Sequence, residues 1–193
     1  YFFSYFPLKH GVARTDFVMF LRDYLKDHRF ETVGFDTFDT AVRERYGVSM
    51  EPDLKRWYEE ISMPSYEAYD IKYHKIIHDG SELYQVYFTV RNLSEHDGVF
   101  SAMMYSDKDG HYEKLFYIDG NETRQFGMLM SGPPTYGLRI DPYVSRHYWF
   151  IDNYLDRYEG DLNAPPFEGS RVIDEPKPDY DEIIVDNLDP GFQ

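Results

Sequence analysis

The 193-residue chain carries 35 acidic and 20 basic residues, a formal net charge of −15, and is 42% apolar and 19% aromatic, with 19 Tyr and 15 Phe. This apolar share excludes a disordered chain, and no stretch approaches the roughly 20 apolar residues that a membrane span needs. The acidic balance argues against nucleic acid and anionic lipid as partners, and the absence of cysteine excludes disulfides, thiol catalysis and thiolate metal sites in this stretch.

The opening YFFSYFPLKHG has no initiator Met, no basic segment before an apolar one and no signal cleavage pattern. The expectation is a piece of a longer protein or a processed product. Residues 1–64 hold 11 acids and 9 bases, residues 65–151 hold 12 and 8, and residues 152–193 hold 12 and 3 with five of the eleven prolines. The acidity therefore concentrates in the last 42 residues, which read as a solvated, Pro-rich connector.

Phe17, Phe20, Leu21, Tyr24 and Leu25 recur at helical spacing and predict a helix over about 15–28, capped by Thr15 or Asp16. Gly34 breaks the chain. Phe38, Ala41, Val42, Arg45 and Tyr46 repeat the spacing, with Asp36 as N-cap and Gly47 as the stop. Pro52 opens a third helix carrying Leu54, Trp57, Tyr58 and Ile61, which Pro64 ends.

After Pro64 the period becomes two. Tyr84, Val86, Phe88 and Val90 alternate with Leu83, Gln85, Tyr87 and Thr89. Asp-Gly pairs at 79–80, 97–98, 109–110 and 119–120 suit the positive φ of hairpin turns. Strands are predicted at about 68–78, 82–92, 98–106, 111–118, 122–130, 135–140 and 147–150. Seven short antiparallel strands are the pattern of a β-sandwich. The run from Glu182 to Asn187 is a lone final strand that either pairs back onto the sandwich or opens a further module.

Chemistry is sparse. His74-Lys75-Ile76-Ile77-His78 has the spacing of a zinc-peptidase helix, but Lys stands where the general-base Glu belongs and the context is a strand. Asp107-Lys108-Asp109-Gly110 matches part of a calcium loop but lacks the closing Glu, and reads as a hairpin turn. Asp174, Glu175, Asp179, Asp181 and Glu182 form an acidic cluster that could hold a divalent ion loosely. There is no Gly-x-Ser-x-Gly elbow and no phosphate loop. The aromatic excess fills a core or forms a face that stacks on sugars or on a protein. The candidate binding face is Tyr143, Tyr148 and Trp149, within the run His147-Tyr148-Trp149-Phe150 and near Tyr154 and Tyr158.

The helical residues carry a resemblance. Gly11, Phe17-x-x-Phe20-Leu21-x-x-Tyr24-Leu25, Phe38-x-x-Ala41-Val42, Tyr46-Gly47-Val48, Leu54-x-x-Trp57 and Met63-Pro64 together resemble the end of the catalytic domain in gluzincin aminopeptidases, the family of aminopeptidase N. The resemblance covers about residues 8–66. It implies that an immunoglobulin-like β-sandwich follows, and that the zinc-binding His-Glu-x-x-His, the later Glu ligand and the oxyanion-stabilising Tyr lie upstream of Tyr1. The Lys9-His10-Gly11 region does not reproduce the family's Tyr-x-Lys-Gly element, so no catalytic residue carries over.

The expectation is thus an α+β chain in two parts, with a connector. Residues 1–64 are a short three-helix segment, 65–151 an antiparallel immunoglobulin-like sandwich, and 152–193 an acidic connector with a final strand. The function implied is a non-catalytic C-terminal part of a zinc aminopeptidase-like protein, its partner being the remainder of that protein. No cofactor is expected in this chain, with zinc in the parent, and the compartment is extracytoplasmic. The alternative is a sandwich that binds carbohydrate or protein on its aromatic face.

Overall fold

In the computed structural model, residues 2–59, 63–146 and 150–174 are described. The helical spacing produces α2 (Arg14–Asp27), α3 (Phe35–Tyr46) and α4 (Glu51–Glu59), and a further helix precedes them, α1 (Phe2–Lys9). The three-helix expectation missed α1 because its apolar run is unbroken rather than periodic and holds Pro7. Phe6, Phe17, Val42 and Met50 are buried at the centre of this helical unit, with Phe20, Phe38, Tyr46 and Leu54 packed around them. Rings meet edge to face or tilted, Phe6 on Phe17 at 5.5 Å, Phe20 on Tyr46 at 5.5 Å and Tyr24 on Phe38 at 5.0 Å. Leu25, expected on the buried stripe, is 70% exposed. It lies at the end of α2, beyond the residues that pack on α3.

The caps also differ. Ala13 and Gly34 stand at the N-caps of α2 and α3 without side-chain bonds. Asp16 and Asp36 sit instead in the first turns, where the helix dipole still favours a carboxylate. Gly47 ends α3 at φ +74°, as its position required. Asp39 organises the next corner. Its carboxylate is buried and accepts from the Met50 backbone N–H at 2.6 Å, Ser49 Oγ at 2.8 Å and Arg43 Nη2 at 2.7 Å.

Nine strands follow among the described residues: β1 (Tyr66–His78), β2 (Ser81–Asn92), β3 (Gly98–Ser106), β4 (Gly110–Ile118), β5 (Thr123–Met130), β6 (Leu138–Asp141), β7 (Ile151–Asn153), β8 (Asp156–Arg157) and β9 (Gly169–Val172). They form a five-stranded sheet, β8-β1-β2-β5-β9, and a four-stranded sheet, β4-β3-β6-β7. All pairings are antiparallel except that of β1 with β8. The alternation in β2 is reproduced: Val86, Phe88 and Val90 are buried in the core between the sheets. Phe126 meets Phe88, Phe100 and Phe116 at 5.4, 5.1 and 4.8 Å, so one ring from each of four strands builds the centre of that core.

Two Asp-Gly pairs do what hairpin chemistry asks. Asp79 and Gly80, at φ +49° and +73°, make the two-residue turn between β1 and β2. Asp109-Gly110 closes the β3–β4 hairpin, with Asp109 Oδ2 accepting from Ser106 Oγ and the N–H groups of Ser131 and Gly132. The other two pairs are not hairpins. Asp97-Gly98 and Asp119-Gly120 lie where the chain passes from one sheet to the other, β2 to β3 and β4 to β5.

The connector expectation is corrected over residues 152–172, which supply most of β7 and all of β8 and β9. Between β8 and β9 the chain crosses the outer face of the five-stranded sheet as a strap. Tyr158 N–H donates to Tyr73 O, Ile77 N–H to Leu162 O and Phe167 N–H to Gln85 Oε1, while Gln85 Nε2 donates to Phe167 O. The close approach requires glycine: a Cβ on Gly127 would fall 2.3 Å from the Phe167 ring, and one on Gly160 2.4 Å from that of His74. The strap explains why Gln85 and Thr89, on the face away from the core, are buried. A covered polar face looks the same in sequence as a solvated one. The final-strand expectation over 182–187 lies outside the described residues.

Candidate functional site

Two places gather functional side chains, both on the outer face of the four-stranded sheet. At one end α1 packs on β3 and β4. Tyr5 lies within 5.5 Å of Trp57 and 6.1 Å of Tyr117, ring centre to ring centre. Its hydroxyl donates to Asp97 Oδ2 at 2.9 Å, and Tyr117 donates to the same oxygen at 2.6 Å. Lys9 Nζ bridges Asp97 Oδ2 at 2.9 Å and Asp53 Oδ1 at 2.8 Å, Arg56 pairs with Asp97 Oδ1, and His10 Nε2 meets Asp53 Oδ2 at 2.8 Å.

Two nearly buried carboxylates thus face the cations of Lys9 and Arg56. Burial acts to raise the Asp97 carboxyl, but the bonds from Tyr117 and Lys9 and the charges of Lys9 and Arg56 outweigh it and hold the group below the usual carboxylate range. Tyr5 and Tyr117 are pushed well up, first by burial and then by Asp97, and stay protonated donors at every physiological pH. Such a cluster is a joint: its hydrogen bonds are directional and cross from helices to sandwich.

At the other end of the same face lies an open aromatic groove of about 710 Å³, lined by Met103, Tyr105, His111, Tyr136, Arg139, Phe150, Asp152 and Tyr154 among others. The strand register builds it. Tyr105 pairs with His111, Met103 with Arg139 and Arg139 with Asp152, so these side chains form adjacent rows on one face. His111 stacks on Tyr105 at 5.0 Å, and Tyr136 stands edge-on to Tyr105 at 6.2 Å and 88°. Arg139 donates to both Asp152 oxygens, at 2.7 and 3.4 Å, and lies over the Phe150 ring.

No family model matches the chain, and no curated protein matches its sequence.

Of the expected binding face, Tyr148 and Trp149 lie outside the described residues. Tyr143, at φ +46°, is 40% exposed and donates to Glu113 at 3.4 Å, outside the groove lining. The residues around that face fare differently: Phe150 and Tyr154 line the groove, whereas Tyr158 belongs to the strap and packs on the His74 ring at 4.6 Å. Sequence reasoning missed Tyr105, His111, Tyr136, Arg139 and Asp152. The available signal was the outward position of Tyr105 and His111 across the Asp109-Gly110 hairpin.

The His74/His78 pair is no metal site of the helical kind. Four residues along a strand separate the two by roughly 13 Å. His74 is buried with neither ring nitrogen hydrogen-bonded, stacked on Tyr87, while His78 is half exposed. Burial holds the His74 imidazole below its usual range. Asp109 in the calcium-like turn spends its carboxylate on Ser106 Oγ and on the N–H groups of Ser131 and Gly132 after β5. Among the described residues, no cluster of three or more His, Asp or Glu is placed to hold a metal, and no helix is long and apolar enough to cross a membrane. The acidic cluster beyond Asp174 lies outside the described residues.

Proposed function

We propose that the chain is a non-catalytic C-terminal part of an aminopeptidase N-like zinc metallopeptidase. Its helices complete one wall of the peptidase domain, and its sandwich, of immunoglobulin type, supports that wall. The observation that carries the reading is the joint: helices with the family's spacing precede Pro64 and are tied to a β-sandwich through Tyr5, Lys9, Asp53, Arg56, Asp97 and Tyr117. A unit of four short helices buries little alone and needs a body to lean on. Val18, Met19 and Leu25 on α2 are more than half exposed, the kind of apolar surface that a larger domain covers. The partner in this reading is the remainder of the protein, the zinc belongs to that remainder, and the compartment is extracytoplasmic.

Reading the coding sequence upstream of the Tyr1 codon tests it. The expected result is His-Glu-x-x-His, a later Glu and a Tyr shortly before Tyr1. The longer protein then hydrolyses an aminoacyl p-nitroanilide in a chelator-sensitive way, and the 193-residue chain does not. An upstream region lacking the zinc motif overturns the proposal.

A further inference from the structure

The aromatic groove lies on the exposed part of the sheet face that the helical unit leaves uncovered, and the peptidase reading gives it no task. Its lining is unusual for a monomer surface. Tyr136 is 71% and Tyr154 96% exposed, yet they stand in one concave place with Tyr105 and Phe150 rather than scattered singly. About 710 Å³ lies within the roughly 300–1,000 Å³ of small-ligand clefts.

We propose that this groove binds an uncharged pyranose unit of a neutral glycan. Four features select that chemistry. First, His111 already covers part of Tyr105 and Arg139 part of Phe150, which leaves Tyr136 and Tyr154 as the open ring surfaces. A ring face carries partial negative charge and receives the partly positive C–H face of a sugar. Second, Tyr136 stands perpendicular to Tyr105, so the two rings form a corner that holds a flat ligand on one side and touches its edge on the other.

Third, the polar groups beside the rings come as a balanced pair. Arg139 and Asp152 cancel in charge and remain about half exposed, so guanidinium N–H groups and carboxylate oxygens both remain within reach of vicinal hydroxyls. A chain of net charge −15 disfavours nucleotides and other anions that could also stack. Fourth, the β6 backbone in this floor is paired on both sides, by β3 and β7, so an extended peptide lying in the groove finds no unpaired β6 backbone and could add only at the outer edge of β7.

The test is calorimetric titration of the 193-residue chain with cellohexaose, laminarihexaose, xylohexaose, mannohexaose and chitohexaose. At least one is expected to bind with a Kd below about 1 mM. Tyr136→Ala should weaken that binding about tenfold without changing the melting temperature, because the side chain is mostly exposed. Arg139→Gln should weaken it as well, and Tyr58→Ala, an exposed aromatic on α4, should leave it unchanged. The proposal is overturned if none of the five glycans binds, if binding survives both Tyr136→Ala and Arg139→Gln, or if an uncharged Gly-Tyr hexapeptide binds in their place. It stands apart from the peptidase reading, since an upstream region without a zinc motif leaves this titration unaffected and a failed titration leaves that reading intact.

Discussion

Replacing Asp97 by Asn tests the joint between helices and sandwich with almost no change of shape. The wild-type carboxylate is 6% exposed, accepts from Tyr5 and Tyr117, and pairs with Lys9 and Arg56. Removing one partner from a buried ionic cluster costs about 3–5 kcal/mol where the remaining charges are stranded. Here they are stranded only in part. Lys9 keeps Asp53 at 2.8 Å, and the Lys9 and Arg56 side chains retain 20% and 29% exposure. The expected loss is therefore about 2–4 kcal/mol at neutral pH.

Urea unfolding followed by circular dichroism measures it, with the slope unchanged and the midpoint lowered. Hydrogen exchange locates it: amides of α1 and α4 should lose protection before those of β2 and β5, because the joint opens without disturbing the phenylalanine core. The pH dependence supplies a second check. A carboxyl held low in the folded state contributes stability above its unfolded pKa of about 3.9, and that stability is lost as pH falls through the folded value. The wild-type and Asp97→Asn curves should therefore converge in acid. A loss under about 0.5 kcal/mol with unchanged exchange in α1 and α4 would refute the reasoning.

Three further outcomes follow from other parts of the molecule. Asp39→Ala leaves the Met50 N–H and Ser49 hydroxyl without their acceptor at the α3–α4 corner, and should cost about 2–3 kcal/mol in urea unfolding. His74 is held neutral by burial, so the unfolded chain takes up its proton first as pH falls below about 6.5. Wild-type stability should decline from pH 7 to 5.5 more steeply than that of His74→Phe, as thermal melts across that window would record. Gly80→Ala meets no neighbouring atom but puts a Cβ on a residue at φ +73°, and a loss of about 1 kcal/mol with β1–β2 cross-strand contacts intact by NMR is expected.

The regular elements were legible in the sequence because their signals are local. The spacing of Phe17, Phe20 and Leu21 predicts α2, the alternation of Val86, Phe88 and Val90 predicts β2, and Asp79-Gly80 predicts the turn before it. Features made by distant residues were not. Nothing local in Tyr5, Asp53 or Asp97 foretells that residues up to 92 positions apart share hydrogen bonds. Residues 152–172 read as a connector because acidic and proline-bearing segments of low periodicity carry no strand signal, yet their backbone pairs with both sheets. The groove was half visible: Phe150 and Tyr154 fell near the expected face, while Arg139 and Asp152 met only through the β6–β7 register.

The strap has a consequence for how the molecule meets its own copies. A sheet normally ends in two rows of unpaired N–H and C=O groups, each a template on which another chain can grow. In the five-stranded sheet one short stretch of chain furnishes both ends, β8 with two residues beside β1 and β9 with four beside β5. The middle of β1 and the first half of β5 are thereby paired on both sides, and there the outermost backbone belongs to brief stubs rich in charged and small residues, Asp156-Arg157 and Gly169-Ser170-Arg171-Val172. Both stubs hang from the same tether, which is held at Gly160 against His74, at Leu162 by the Ile77 N–H and beside β9 by Gln85 on Phe167.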